Sequence, residues 1–163
     1  MQTIRKAELK DLAAMTDIYN EAIKNTTATF DTNAKTEEEQ QAWFNKHDDK
    51  HPILVACENN SIIGWASLSA WSDRCAYADT AESSLYIKAE YRGKGVGRKL
   101  AVALLKAGKE AGLHTVITRI VQDNEASIKL AVSLGFEHIG VMREVGRKFG
   151  KLLNVHLMQL IYS

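Results

Sequence analysis

Between Tyr91 and Lys99 the chain reads Tyr-Arg-Gly-Lys-Gly-Val-Gly-Arg-Lys, three alternating glycines flanked by cations. A strand-like run, Ser84-Leu85-Tyr86-Ile87, comes before it, and Leu100, Leu104 and Leu105 recur after it at helical spacing. A strand, a glycine turn and a helix start make an anion site. Unpaired backbone N–H groups and the positive end of the helix dipole converge there, and glycine lets an oxygen approach the backbone. The expected ligand is phosphorylated. Two phosphate loops are excluded by spacing: no Lys-Ser or Lys-Thr closes the turn as a nucleoside triphosphate loop requires, and the third glycine of a dinucleotide fingerprint would fall on Leu100.

The spacing that does fit is Arg-x-x-Gly-x-Gly, at Arg92, Gly95 and Gly97. It resembles the pyrophosphate loop of the GNAT N-acetyltransferases. Gln122-Asp123-Asn124-Glu125-Ala126-Ser127, followed by Ser133-Leu134-Gly135-Phe136, is similar to the Asn-x-x-Ser/Ala…Gly-Phe segment of that superfamily. Ala81-Glu82-Ser83-Ser84-Leu85-Tyr86-Ile87 resembles the Glu-Ser-x-x-Tyr strand of its phosphinothricin and methionine sulfoximine branch, and Trp71-Ser72-Asp73-Arg74-Cys75-Ala76-Tyr77 resembles that branch's acceptor loop. The resemblance spans nearly the whole chain. It implies an α/β GNAT fold with a mixed, mostly antiparallel sheet, about four flanking helices and a splayed cofactor-binding strand pair. It also implies acetyl-CoA as co-substrate and a homodimer.

Acetyl transfer from a thioester to an amine needs a fixed cofactor, a neutral amine, a donor to the thioester carbonyl and a proton for the departing thiolate. Backbone amides of Gly93, Lys94, Gly95, Val96, Gly97 and Arg98 can grip a pyrophosphate, with Arg92 or Arg98 adding charge. If Leu85, Tyr86 and Ile87 splay from a neighbouring strand, their free backbone groups can pair with the amide-rich pantetheine arm, and the resemblance places an oxyanion-stabilising amide in this segment. Asn124 and Ser133 are expected at the cofactor too, although Asn124 equally reads as a helix N-cap. Glu82 is the candidate proton acceptor, because an amine arrives mostly protonated; a surface strand glutamate is the plainer alternative. The resemblance puts a thiolate-protonating tyrosine seven residues after the asparagine, and here that position is Ala131.

For the acceptor, the resemblance points to Trp71, Ser72, Asp73, Arg74, Ser83 and Ser84 beside Glu82, and Phe30 joins them as an apolar candidate. A guanidinium at Arg74 suits a bidentate grip on an α-carboxylate, with Phe30 and Trp71 as apolar walls. A solvated arginine and two core aromatics account for the same residues. The acceptor implied is a small amino acid or analogue. Another amine (a polyamine, an aminoglycoside, a protein N-terminus) remains open, as does a coenzyme A sensor without catalysis, which Ala131 would suit.

Composition sets the bounds. The 163 residues fit one domain, residues 1–163, with a real core. Lys and Arg number 21 against 20 Asp and Glu, a net charge of +1, so neither a nucleic acid nor a membrane surface is implied. No long apolar run or leader-like start is present, and a soluble, cytoplasmic protein is expected. The two cysteines make no disulfide framework, and the five histidines make no ligand set, so no metal is expected.

The elements that must position these residues follow from periodicity. Strands are expected over about Thr3–Ala7, Pro52–Cys57, Ile62–Ser69, Tyr77–Ile87, Thr115–Val121, Phe136–Arg147 and Leu152–Ile161. Helices are expected over Lys10–Lys24, from a Thr36/Glu39 capping box to Lys46, over Val96–Ala111 ending at Gly112, and from Asn124 to Gly135. Trp43, Trp71 and the closing strands are candidates for burial against a second copy.

Overall fold

The computed structural model describes residues 1–163. Its strands are β1 (Gln2–Lys6), β2 (Ile53–Glu58), β3 (Ser61–Ala70), β4 (Thr80–Ile87), β5 (Thr115–Val121), β6 (Glu137–Lys148) and β7 (Lys151–Ile161). Its helices are α1 (Leu12–Asn25), α2 (Glu37–Asn45), α3 (Val96–Glu110) and α4 (Glu125–Ser133). The strands form one seven-stranded sheet in the order β1-β2-β3-β4-β5-β7-β6. Every pairing is antiparallel except β4 with β5. No helix is long and apolar enough to cross a membrane.

Local sequence accounts for the joints. Thr36 Oγ1 accepts from Glu39 N at 3.2 Å while Glu39 returns to Thr36 N, the expected capping box, which is worth about 1 kcal/mol. Asn59 and Asn60, both at positive φ, close the β2–β3 hairpin, as asparagine tolerates best among non-glycine residues. Gly112, at φ +93°, ends α3 in the left-handed region.

Each face of the sheet carries its own core. Ala66, Leu68, Val116, Leu100 and Leu104 pack between the sheet and α3, while Met15, Ile18, Val55 and Trp65 pack under α1. Alternation along β3 sends Ala66 and Leu68 to one side and Trp65 to the other. Leu100 and Leu104 are fully buried, and truncating either to alanine would cost about 2–5 kcal/mol.

One strand starts later than its composition suggests. Tyr77 belongs to a 3-10 turn, Cys75–Tyr77, closed by Tyr77 N donating to Arg74 O at 2.9 Å, and β4 begins only at Thr80. Tyr77 is exposed, so its strand-favouring side chain meets no pleated surface. Trp43 and Trp71 are half-buried within the chain rather than exposed, Trp43 against Trp65 at 5.2 Å.

Candidate active site

β4 and β5 face each other over only three rungs, Thr80 with Thr115, Ala81 with Val116 and Glu82 with Ile117. Beyond Glu82 they part: β4 stays with β3 to Ile87, and β5 stays with β7 to Val121. From Ser83 to Ile87 the β5-facing edge of β4 therefore lacks a ladder partner. A cavity of about 620 Å³ occupies the opening. On one side it is lined by Leu104 of α3 and Asn124, Leu130 and Ala131 around α4; on the other it is lined by the loop after α1 and by Met142 and Val145 of β6. The opening thus runs through the sheet.

At the last common rung, Glu82 meets Arg119 of β5. Arg119 Nε donates to Glu82 Oε2 at 2.5 Å and Nη2 donates to Oε1 at 2.8 Å, which holds the guanidinium above its usual pKa. The Trp71 ring lies 5.7 Å from that guanidinium. A carboxylate offers about four acceptor positions, so the fork leaves two for another donor.

The loop after α1 is tied to β6. Lys148, 4% exposed, donates from Nζ to Thr29 O at 2.7 Å, and burial lowers its pKa. Gly146 lies directly under the Phe30 ring, where an added Cβ would collide with it. Opposite Asn154, β6 bulges: Glu144 takes positive φ and its N–H donates to Asn154 Oδ1 at 2.8 Å, which leaves Val145 on the cavity wall.

On the α3 side, Gly93 and Gly95 adopt φ of +73° and +84°, and a Cβ on either would meet nothing within 4 Å. Backbone geometry favours glycine there, and the space beyond is open to a ligand. Arg92 is committed inward: its Nε donates to Ile87 O at 3.0 Å and its Nη2 pairs with Glu21 at 2.8 Å, bracing the turn against β4 and α1. Arg98 is exposed and donates to Ser133 Oγ at 2.8 Å, which joins the turn to α4. Asn124 caps α4 by accepting from Ser127 N at 3.3 Å, and it also lines the cavity.

A model of the acetyltransferase (GNAT) family matches residues 15–136. The L-methionine sulfoximine/L-methionine sulfone acetyltransferase of Pseudomonas paraeruginosa is 39% identical over 97% of this chain and 93% of its own. The phosphinothricin N-acetyltransferase of Streptomyces coelicolor is 36% identical over 93% of this chain and 91% of its own. The chain belongs to the GNAT acetyltransferase family. The crystal structure of a GNAT phosphinothricin acetyltransferase from Sinorhizobium meliloti in complex with acetyl-CoA superposes with a TM-score of 0.94, at 34% identity, covering 98% of this chain and 88% of that one.

Within this acetyltransferase the expected site residues divide. Phe30, Glu82, Ser83, Ser84, Leu85 and Tyr86 share the cavity with Asn124. Trp71 reaches it through Arg119, whereas Ser72, Asp73 and Arg74 do not line it; Arg74 is exposed at the start of the 3-10 turn. The cation inside the GNAT opening is Arg119, which is not among the site residues expected from sequence. Its signal was present: it is the one charge in Thr-Val-Ile-Thr-Arg-Ile-Val.

Proposed function

We propose that this protein transfers acetyl from acetyl-CoA to the α-amine of a small amino acid or analogue, with methionine sulfone, methionine sulfoximine and phosphinothricin as the first acceptors to try. The observation that carries the reading is the Glu82–Arg119 pair set in a through-sheet opening beside a glycine turn. A zwitterion presents an ammonium and a carboxylate side by side, and a carboxylate–guanidinium pair answers both. Relatives that act on such acceptors, at 36–39% identity over nearly the full chain, support it.

The turn suits a pyrophosphate: two glycines in the left-handed region with open space before them, at the N-terminus of α3. The unpaired β4 edge suits the pantetheine amides, with Leu85 to Ile87 as hydrogen-bonding strand and Arg98, Asn124 and Ser133 along the route. Acetyl-CoA bound this way brings an activated acyl group to the parting of the strands.

The remaining work falls to side chains. An α-amine at neutral pH is mostly protonated, so Glu82, directly or through water, takes its proton before attack. Arg119 holds Glu82 in place and contacts the acceptor carboxylate through its exposed edge. Phe30 and Val145 cover the acceptor side. For the thiolate, position 131 holds a buried alanine. Tyr86 is no substitute: burial pushes its pKa up to about 12, too weak an acid for a thiolate whose own pKa is near 8.5 on the cysteine scale. The ammonium formed as the amine attacks is a stronger acid than either tyrosine or water, and it supplies that proton.

A homodimer belongs to the same reading. Ile139, Val141, Val145 and Leu152 expose apolar surface on β6 and β7, a face a second copy would cover.

The test is thiol release from acetyl-CoA with a panel of free amino acids, polyamines and aminoglycosides, with products identified by mass. N-acetyl amino acids should dominate. Polyamine or aminoglycoside acetylation with no amino-acid product would overturn the acceptor class.

A further inference from the structure

A second cavity, about 470 Å³, lies beneath α2 and shares Tyr19, Asp31, Ser84 and Tyr86 with the first. Two residues on its β3 wall stand out. Trp65 is 3% exposed and Ser67 1%, yet neither Trp65 Nε1 nor Ser67 Oγ has a hydrogen-bond partner. Buried polar atoms without partners are rare in folded proteins, and two on one cavity wall call for a ligand group. An indole N–H only donates, and a serine hydroxyl can donate beside it, so that group must be an acceptor.

Its charge is constrained by the rim. Lys35 sits between Asp31 at 3.4 Å and Glu39 at 3.7 Å, one cation against two carboxylates. The inner wall is aromatic: the Trp65 ring lies 5.2 Å from Trp43 and 5.0 Å from Tyr86. An anion would be desolvated against rings and face net negative charge, whereas a neutral oxygen on an apolar stem meets two donors and aromatic surface.

The register fixes how this cavity stands to the chemistry. Across β3 and β4, Ser69 faces Glu82, Ser67 faces Ser84 and Trp65 faces Tyr86. Residues two apart share a face, so these three rungs form one row, each step about 6.6 Å. An amino acid with its amine at Glu82 reaches the Ser67 rung with the fourth or fifth atom from its nitrogen.

We infer that the cavity beneath α2 is the side-chain subsite of the acceptor, and that it selects a neutral oxygen, such as a sulfone, over an anionic phosphinate or carboxylate. The inference rests on the amino-acid reading above and adds which amino acids are chosen. Trp65 and Ser67 are the specificity-determining donors.

The experiment has two arms. In the kinetic arm, kcat/KM is compared for L-methionine sulfone, L-phosphinothricin and L-norleucine, which lacks the oxygen, in wild type, Trp65→Phe and Ser67→Ala. The sulfone should exceed phosphinothricin, and each variant should lower the sulfone-to-norleucine ratio roughly three- to tenfold, the worth of one hydrogen bond. In the binding arm, the three tryptophans give three indole N–H resonances in the coenzyme A complex. The Trp65 resonance, identified by its absence in Trp65→Phe, should move downfield with methionine sulfone and stay in place with norleucine. A shift without turnover of any amino acid supports the subsite and overturns the acetylation of amino acids. Turnover with an unmoved Trp65 resonance, or an unchanged ratio in Ser67→Ala, overturns the subsite alone. Neither shift nor turnover overturns both, and phosphinothricin used as well as the sulfone overturns the charge selection.

Discussion

Arg119 reaches across from β5 and holds both carboxylate oxygens of Glu82 at the last rung before β4 and β5 separate. The pair lies at the apex of the opening, where a pantetheine arm entering from the α3 side would end and an amine entering past Phe30 would arrive. Fold, charge and access meet at these two side chains.

Glu82→Gln keeps the shape and removes the proton acceptor. Loss of a general base costs on the order of 10² to 10⁴ in rate. Wild-type activity should rise with pH as the acceptor amine, with a pKa of roughly 8 to 10, loses its proton, and the variant should recover relative activity at the alkaline end. A variant with the wild-type rate and pH profile would leave Glu82 as a strand residue anchoring Arg119.

The two arginines can be told apart by the acceptor's carboxylate. Arg119→Met should raise KM for amino acids by the worth of a charge-assisted pair, about 1.5–3 kcal/mol, while Arg74→Ala leaves it near wild type. Amidating the acceptor should harm the wild type and do little further harm to Arg119→Met. The reverse pattern would assign carboxylate recognition to Arg74.

Gly146→Ala probes the Phe30 wall. The added methyl displaces the ring, which can swing outward because Phe30 is 37% exposed. Stability should change little and acceptor KM should rise several-fold, with acetyl-CoA affinity unchanged because the glycine turn lies on the other side of the sheet. Equal loss of acceptor and acetyl-CoA affinity would contradict this division of the opening.

Much of this was legible in sequence. β5 and the start of α3 fall where periodicity and the glycine turn place them, because each is a local pattern. The splay expected from family resemblance appears as a ladder that stops at Glu82 and Ile117. What stayed hidden is long-range. Arg119 and Glu82 are 37 residues apart, and nothing in either neighbourhood announces the other. Arg92 stands beside the glycines in sequence, yet its guanidinium turns to the Ile87 carbonyl of β4 and to Glu21, and only the packing of α1 brings Glu21 within reach. The subsite beneath α2 needed the β3–β4 register, which no spacing within one strand reveals.

His47 gives a test by pH. It bridges Trp43 O and Ser69 Oγ, each at 2.8 Å, and burial lowers its pKa. In the unfolded chain it titrates near 6.5. As pH falls below about 6.5 the unfolded form takes up a proton first, so the stability His47 contributes is lost as pH drops through the lowered folded value. Denaturant unfolding of wild type and His47→Gln should therefore converge toward acid. Parallel curves from pH 7.5 to 5 would exclude His47 as the source.

In the proposed complex acetyl-CoA places its pyrophosphate on the turn from Gly93 to Arg98, and calorimetric titration of Gly95→Ala tests that placement. The substitution places a methyl where nothing of the protein lies within 4 Å, at φ +84°, so its intrinsic cost is the left-handed penalty of about 1–2 kcal/mol and the fold survives. Acetyl-CoA affinity should fall at least tenfold beside native circular dichroism. A folded variant that binds acetyl-CoA as wild type does would contradict the account.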